Sequence, residues 1–490
     1  MKNYLRAAAL MLAALISLSF CACGSGADPT VTDANADGAP EGATEAAETV
    51  DTEAAELEAA LAAIPEFDFE GKPFNVIARP AVGTSEKEIY SAEENGEVLN
   101  DAVFRRNSLV NERFNTEITL ITGDASAKIK SAVLSGDNTY DISMPNISEA
   151  STLASGGILY NFCALPHNNF EKPWWELGTY ELNIAGKVFF MNSAMNYLAD
   201  DVTYIMMFNK QLIADNGMEE PYELVRGGKW TLDVFTKMIQ DISADIDGDG
   251  EFTTNDLYGF ITTSAYQNGF FYASDLKYIN SDADTGLHLA LDVEKATLLL
   301  EKTNYIYHGG NVTWMSPGGQ EGVGKDMFMQ NGGLFYGEVM SYIVNMRAMD
   351  TDFGVIPIPK WDEAQENYKT YVNNISSTMV IPLNCPDPER LSAILEMIAV
   401  TSRMYVTPAY YDVALSGKFT RDEESAEMLE IIRRHRVYDF GMTYTTIGLS
   451  DLFSSLVLKN SGDIISQYEK RISKAETQID KLTEKFDAME

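Results

Sequence analysis

The chain has 490 residues, of which 45% are hydrophobic and 11% aromatic, and its formal net charge is −37. The length allows a folded region of two or three domains with sizeable cores, and the composition is that of a globular protein. A charge this negative repels nucleic acid and anionic lipid, so it argues against polyanionic partners and favours a neutral or cationic ligand.

The N-terminal residues have the pattern of a secretory signal. Two cations, Lys2 and Arg6, precede an uncharged run over residues 7–20, which is shorter than the roughly 18 to 20 residues that a membrane-spanning helix needs. The end of the run resembles the lipobox of bacterial lipoproteins, in which a small residue precedes an acylated cysteine, and Cys23 fits this position best. The resemblance implies a signal peptide over residues 1–23 and lipidation of Cys23. The alternative is a plain cleaved signal.

Residues 24–65 have the composition of an acidic, disordered tether. Residues 24–70 contain 13 acids and no lysine or arginine, so the segment repels itself and is expected to stay extended. A transient helix is predicted over residues 52–63, and folded protein is expected from near Phe67.

Strand and helix signals alternate after Phe67. Strands are predicted at Pro73–Ala78, Glu117–Ile121, Tyr140–Met144, Lys187–Met191, Tyr204–Phe208, Gly333–Tyr336 and Phe353–Pro357. In the first half of the chain, helical patterns separate these strands, which is typical of a parallel α/β sheet. Such sheets bind ligands at the carboxyl ends of their strands. Arg79 and Asn146 follow two predicted strands and are therefore candidate ligand-binding residues.

Two acids and two helices stand out in the second half. Asp200 and Asp201 lie just before the strand at Tyr204–Phe208 and could accept hydrogen bonds from ligand hydroxyls, the alternative being a solvated turn.

A helix capped by Thr231 has the apolar positions Leu232, Phe235, Met238, Ile239 and Ile242. The C-terminal helix has an apolar stripe at Tyr468, Ile472, Ala475, Ile479, Leu482 and Phe486. The stripe is too short for a coiled coil, which favours docking on the chain's own body.

The most specific local motif is the acidic loop Asp245–Asp256. Its acids occupy positions 1, 3, 5 and 12 of a calcium-binding loop, and Gly250 takes position 6, where the backbone turns sharply. The predicted ligands are Asp245, Asp247, Asp249, Glu251 and Asp256. Because carboxylates this close repel one another unless a cation neutralises them, we predict a structural Ca2+ site. The alternative is an acidic surface turn.

Patterns typical of enzymes are missing from the sequence. The four histidines are scattered, and no HExxH, GxSxG or phosphate-binding glycine motif is present. Beyond the signal, the chain has two cysteines, Cys163 and Cys385, which either form one disulfide or remain buried thiols. We therefore expect a protein that is not an enzyme.

The order of the predicted elements resembles that of the extracellular solute-binding proteins of ABC transporters, in particular the carbohydrate-binding group that includes maltose-binding protein. The segments that carry the resemblance are Gly136–Met144, Leu153–Leu159, Met206–Lys210, Gly228–Thr231, Phe353–Lys360 and Tyr371–Pro382. The resemblance implies an α/β, two-lobed periplasmic-binding-protein-like fold (type II) with hinge strands and a ligand cleft. Lobe 1 would comprise residues 66–195 and 373–436, and lobe 2 residues 196–372 and 437–490.

The resemblance also implies a function. The protein would be a monomeric, lipid-anchored component of an importer on the outer face of the membrane, would close on a carbohydrate and would deliver it to an ABC permease, with no role for nucleic acid. Tyr336 and Glu338 follow a strand where this family places binding residues. Trp314, in the stretch 309–319, could stack on a sugar ring from a cleft loop, or it could pack in the core. Alternative functions are an extracellular glycan-degrading lipoprotein and a binding protein for peptides or polyamines.

Overall fold

The computed structural model describes residues 41–80, 85–282, 286–316, 320–415 and 423–489. The predicted signal peptide and Cys23 lie outside these residues. The chain forms two compact units, residues 1–54 and 55–490. In the first unit, the described residues form the N-terminal part of helix α1, and every other described element belongs to the second unit.

The secondary structure is mixed α/β. The helices are α1 Glu41–Ala63, α2 Ser85–Ile89, α3 Val98–Phe114, α4 Ala125–Ser135, α5 Ile147–Ser155, α6 Leu177–Tyr180, α7 Leu198–Asp201, α8 Lys210–Asp215, α9 Pro221–Arg226, α10 Leu232–Ile242, α11 Gln267–Ala273, α12 Val293–His308, α13 Glu321–Met329, α14 Pro388–Thr401, α15 Thr407–Leu415, α16 Glu423–Arg434, α17 Phe440–Thr443, α18 Leu452–Leu458 and α19 Ile464–Asp487. The strands are β1 Pro73–Ala78, β2 Glu117–Thr122, β3 Ile142–Met144, β4 Tyr204–Asn209, β5 Tyr258–Thr263, β6 Ile279–Asp282, β7 Gly286–Leu289, β8 Thr313–Ser316, β9 Gly333–Val339, β10 Phe353–Ile356, β11 Thr370–Tyr371 and β12 Arg436–Val437. Among the described helices, none has both the length and the apolar character needed to cross a bilayer.

Two larger sheets organise the second unit. The first contains the parallel strands β2, β1 and β3 in that order, and the second has the order β10-β4-β9-β5-β8. In the second sheet, β5 runs parallel to β8 and β9, whereas β4 is antiparallel to both of its neighbours. This arrangement confirms the predicted α/β fold class.

Two neighbouring segments connect the sheets, and we call residues 192–203 and 372–378 the crossing segments. They lie between the bridge that joins Met191 to Met379 and the bridge that joins Thr203 to Val372, directly before β4. The Asn373 N–H also donates to the carbonyl oxygen of Val202 at 3.1 Å. The crossing segments therefore run side by side in opposite directions.

Helix α1 ends on the folded body. Leu57 and Ile64 are buried in a core that they share with β1 and α3, and Lys172 Nζ lies 2.6 Å from Glu56 Oε1. The tether predicted over residues 24–65 therefore overlaps the body by eleven residues, because residues 55–65 belong to the body. Leu57, Leu61 and Ile64 are spaced three and four positions apart and form one apolar helical face. The acidic composition of the segment makes this face easy to miss in the sequence.

Helix α16 belongs to the layer of the second sheet. Arg226 of α9 forms ion pairs with Glu424 at 3.1 Å and Glu427 at 2.7 Å, and α16 packs against β10. The resemblance assigns residues 373–436 to lobe 1, whereas these contacts associate α16 with the second sheet. The remaining lobe boundaries stay predictions.

Candidate functional site

The parallel strands of each sheet end at one edge. In the first sheet β1 and β3 end there, and in the second sheet β5, β8 and β9 do. The crossing segments contact both edges, because Asn146 bridges to Ser377 and the Met340 N–H donates to the carbonyl oxygen of Thr203 at 2.9 Å. We call these edges and the crossing segments the strand-end site, since sheets of this kind bind ligands at such edges.

Arg79 lies at the strand-end site, directly after β1. Its backbone N–H donates to Ser85 Oγ at 3.1 Å, and its Nη2 lies 3.4 Å from the carbonyl oxygen of Ile375. Its Nε is enclosed and has no hydrogen-bond partner. The guanidinium is half-buried and its Nη2 lies in an exposed contact, so its outer N–H groups can donate to a hydroxyl or an anionic group.

Asn146 also lies at the site, but its side-chain oxygen is already engaged. Asn146 Oδ1 accepts from the Glu149 N–H at 2.8 Å, and Glu149 Oε2 accepts from the Asn146 N–H at 3.0 Å. This reciprocal pair is a capping box at the start of α5. The structure therefore gives Asn146 a helix-capping role, and ligand binding by this residue stays a prediction.

Asp200 and Asp201 lie on the first crossing segment and are held by partners from distant parts of the chain. Arg436 donates from Nη1 to Asp200 Oδ1 at 2.9 Å and from Nη2 to Glu176. Burial raises the pKa of Glu176, and the charge of Arg436 opposes this effect. Asp201 Oδ1 accepts from the Tyr410 hydroxyl at 2.8 Å. Burial raises the pKa of Asp201 to about 6, although the bond from Tyr410 lowers it. Both acids are therefore parts of a buried network, and neither forms the solvated turn considered as the alternative.

Tyr336 and Trp314 lie on the second sheet at different depths. Tyr336 is fully buried in β9 and stacks on Phe328, with 5.4 Å between the ring centroids. Trp314 is half-buried in β8 and packs against the same core cluster. The packing of Tyr336 is that of a core residue, whereas Trp314 lies two residues before the end of its strand.

Glu338 lies near the end of β9, at the strand-end site. It is 6% exposed, and its Oε2 accepts from the Val339 N–H at 2.6 Å. Its charge acts on three buried tyrosines: burial raises the pKa of Tyr204 to about 12 and also raises those of Tyr266 and Tyr307, and Glu338 raises each further. Glu338 thus lies close to buried tyrosines from β4, from the residue before α11 and from α12.

Sequence reasoning missed Gln267, the first residue of α11. Gln267 is fully buried, and neither its Nε2 nor its Oε1 has a hydrogen-bond partner. Leaving such a group unpaired costs about 1–3 kcal/mol, so it requires an explanation. Gln267 follows the end of β5 by four residues, whereas Arg79 follows the end of β1 directly. A rule that takes the residue next to each strand would therefore not have found Gln267, and the signal that marks it is its unpaired buried amide.

The acidic loop brings three of its five predicted metal ligands together. The carboxylate oxygens of Asp245, Asp247 and Asp249 lie within 4.8 Å of one another. Asp256 is buried, and its oxygens accept from the Ile246 N–H at 2.8 Å and the Thr253 N–H at 2.7 Å. The donor set of three carboxylates suits a hard cation such as Ca2+. Asp256 instead closes the loop, and Glu251 lies outside the cluster.

No protein-family model matches the chain, and no curated protein matches it. Solved structures do match. One is a cyclo/maltodextrin-binding protein complexed with maltotetraose, with a TM-score of 0.54 and 12% identity over 86% of this chain and 99% of that one. Another is the maltose/maltodextrin-binding domain MalE from Bdellovibrio bacteriovorus bound to maltotriose, with a TM-score of 0.50 and 12% identity over 83% and 99%. A third is the GacH receptor of Streptomyces glaucescens, studied unliganded and with acarbose, with a TM-score of 0.50 and 12% identity over 84% and 98%. At this identity the likeness establishes a periplasmic-binding-protein-like fold.

Proposed function

We propose that this chain is the extracytoplasmic solute-binding component of an ABC importer and that it captures an oligosaccharide without altering it. The observation that carries the proposal is the strand-end site, where two α/β sheets meet at paired crossing segments. Arg79, directly after β1, and Gln267, four residues after β5, each have a buried polar group without a hydrogen-bond partner. A ligand that bonds both would bridge the sheets and favour a closed arrangement through its differential contacts. A permease would then receive it.

An oligosaccharide suits this site for two reasons. The unused amide of Gln267 offers both a donor and an acceptor without charge, which matches sugar hydroxyls. The half-buried side chain of Trp314 offers an apolar face for a sugar ring. The structural neighbours bind maltotetraose, maltotriose and acarbose, which supports the same ligand class here.

The proposal is tested with a panel of oligosaccharides, short peptides and polyamines. We expect at least one oligosaccharide to raise the unfolding temperature, because a ligand at 100 times its Kd stabilises the native state by about 2.7 kcal/mol. Calorimetry should give one site per chain, and the sugar should be recovered intact. Binding of polyamines alone, or release of reducing sugar, would contradict the proposal.

We also propose that a lipid on Cys23 anchors the protein to the outer face of the membrane. Replacing Cys23→Ser in cells that process lipoproteins is expected to abolish labelling with radioactive palmitate and to release the protein from the membrane fraction. The matched control is Cys21→Ser, which should keep both label and anchorage. Label retained in Cys23→Ser and lost in Cys21→Ser would move the site to Cys21.

A structural Ca2+ ion in the acidic loop is a further part of the proposal, with Asp245, Asp247 and Asp249 as its carboxylate ligands. Chelation is expected to lower the stability by about 0.4–1.4 kcal/mol relative to about 1 mM calcium, if the affinity is that of extracellular calcium modules, and calcium should restore it. Thermal unfolding with and without calcium measures this effect, and magnesium is the control ion.

Two variants separate calcium binding from loop folding. Asp247→Asn should lose the calcium response, because Asp247 is an exposed member of the cluster. Asp256→Asn should be destabilised with or without calcium, because its carboxylate accepts two backbone N–H groups. An unchanged calcium response in Asp247→Asn, or no response in the unmodified protein, would contradict the site.

A further inference from the structure

Glu88 lies where both crossing segments meet the first sheet. It is fully buried in the short helix α2, and its Oε1 accepts from the Leu198 N–H at 2.8 Å. Its Oε2 is hydrogen-bonded to the Ser377 hydroxyl. Leu198 belongs to the first crossing segment and Ser377 to the second, so one carboxyl group holds both.

Helix α2 is itself fixed on the first sheet. Ser85 Oγ donates to the carbonyl oxygen of Met144, at the end of β3, at 3.1 Å. Arg106 of α3 donates to the backbone carbonyl oxygens of Glu88 at 2.8 Å and Ile89 at 3.0 Å. Glu88 thus reaches from a fixed support to the two segments that join the sheets.

The Glu88 carboxyl group forms no ion pair with the described residues. The titratable side chains that face it are Arg79, directly after β1, Arg106 from α3, and Tyr197 and Asp201 from the first crossing segment. Burial raises the pKa of Glu88 to about 8, while its hydrogen bonds to Ser377 and Leu198 lower it. The Asp201 charge adds to the rise and the Arg79 charge opposes it.

Both protonation states of Glu88 can make the two contacts. When ionised, the carboxylate accepts from both partners. When protonated, one oxygen accepts from Leu198 and the O–H donates to Ser377 Oγ. A buried carboxylate without a counter-ion is costly, so the arrangement with both segments in place favours the protonated form. If either segment moves away, water reaches the carboxyl group and it releases its proton more readily.

We propose that Glu88 is a positioning residue of the hinge: it holds the two crossing segments together best when protonated, and the segments separate more easily as the pH rises. This inference rests on the proposed function in that ligand capture moves the sheets about these segments. The arrangement in which Glu88 holds both crossing segments is most stable below pH 4.5, the ordinary carboxyl pKa. Its stability falls as the pH rises from there to about 8. Above that pH the effect levels off.

Hydrogen exchange on the full ligand-free chain tests the proposal. Protection of the crossing segments, corrected for the intrinsic exchange rate, should fall by up to about tenfold per pH unit between pH 5 and 8. Glu88→Gln should remove this pH dependence while keeping protection, because its amide can accept from Leu198 and donate to Ser377. The matched control is Glu86→Gln on the same helix, which should behave like the unmodified protein. Ser377→Ala should lower protection of residues 372–378 at every pH.

The hydrogen-exchange experiment uses no ligand, so its result tests the role of Glu88 independently of whether the protein binds an oligosaccharide. A flat pH profile in the unmodified chain, or an unchanged profile in Glu88→Gln, would overturn the role of Glu88 even if an oligosaccharide binds. The expected profile would support it even if no sugar of the panel binds. If Glu88→Gln does not fold, the role of Glu88 is tested by the pH dependence of protection in the unmodified chain and by the loss of protection in Ser377→Ala.

Discussion

Replacing Arg436→Met is expected to lower the free energy of unfolding by about 3–5 kcal/mol, because it leaves two buried acids without their cation. The side chain of Arg436 is 6% exposed, and those of Glu176 and Asp200 are 11% and 14% exposed. In the variant, both acids must stay charged in a poorly solvated place or take up protons. Urea denaturation at pH 8 measures the loss, which should be smaller at pH 5, where protonation is easier.

Arg434→Met is the matched control for this variant. Arg434 lies two residues away and is 67% exposed, and it pairs with Glu430 one helical turn back. An exposed pair of this kind contributes about 0.3–0.5 kcal/mol. Equal losses in the two variants, or a loss at Arg436 that does not depend on pH, would show that the buried triad does not act as described.

Gln267→Leu is expected to weaken oligosaccharide binding about 10- to 100-fold without lowering the stability of the ligand-free protein. The variant removes an amide whose two polar atoms are buried and unpaired, and replacing such a group by an apolar one of similar shape is neutral or stabilising. The bound ligand, however, loses hydrogen bonds worth about 1.5–3 kcal/mol. Calorimetry with the best sugar of the panel gives the affinity, and thermal unfolding without sugar gives the stability.

The control for this variant is Gln211→Leu, because Gln211 lies exposed on α8. It should change neither quantity appreciably. A Gln267→Leu protein that is less stable and binds the sugar with unchanged affinity would show that Gln267 supports the fold and does not touch the ligand.

The sequence predicts a helix or strand well where the apolar residues of that element alone show which of its side chains are buried. Strand β1 has its predicted bounds, and all five predicted apolar positions of α10 are buried. The Thr231 side chain caps α10 by accepting from the Val234 N–H. The C-terminal stripe docks on the body as predicted, with all of its residues buried except the half-buried Ile472.

An apolar run predicts a strand wrongly where its side chains are buried but its backbone does not pair with a neighbouring strand. The run Lys187–Met191 predicts a strand, and residues 188–191 are indeed buried. Yet these residues form no strand, and Met191 is joined to Met379 only by a single bridge. Apolar periodicity reports that side chains enter a core, but it does not report whether the backbone finds a neighbouring strand.

The candidate site is the least predictable part because its partners are distant along the chain. Asp200 is paired with Arg436, 236 residues later, and Asp201 accepts from Tyr410, 209 residues later, so the roles of these two carboxylates depend on distant partners. The position of Asn146 after a strand predicts ligand binding, whereas in the structure Asn146 and Glu149 form a capping box at the start of α5. The unpaired amide of Gln267 becomes visible only when the packing around it is known.

The position of Trp314 gives the protein an internal optical reporter. Of its five tryptophans, Trp174, Trp175 and Trp230 are buried, so the emission of their indoles should change little when a solute arrives. Trp314 and Trp361 are half-buried, and only Trp314 lies on a strand that ends at the candidate site. A change in fluorescence that survives Trp361→Phe would therefore come from the strand-end site and would report the arrival of a solute there in real time, without any attached dye.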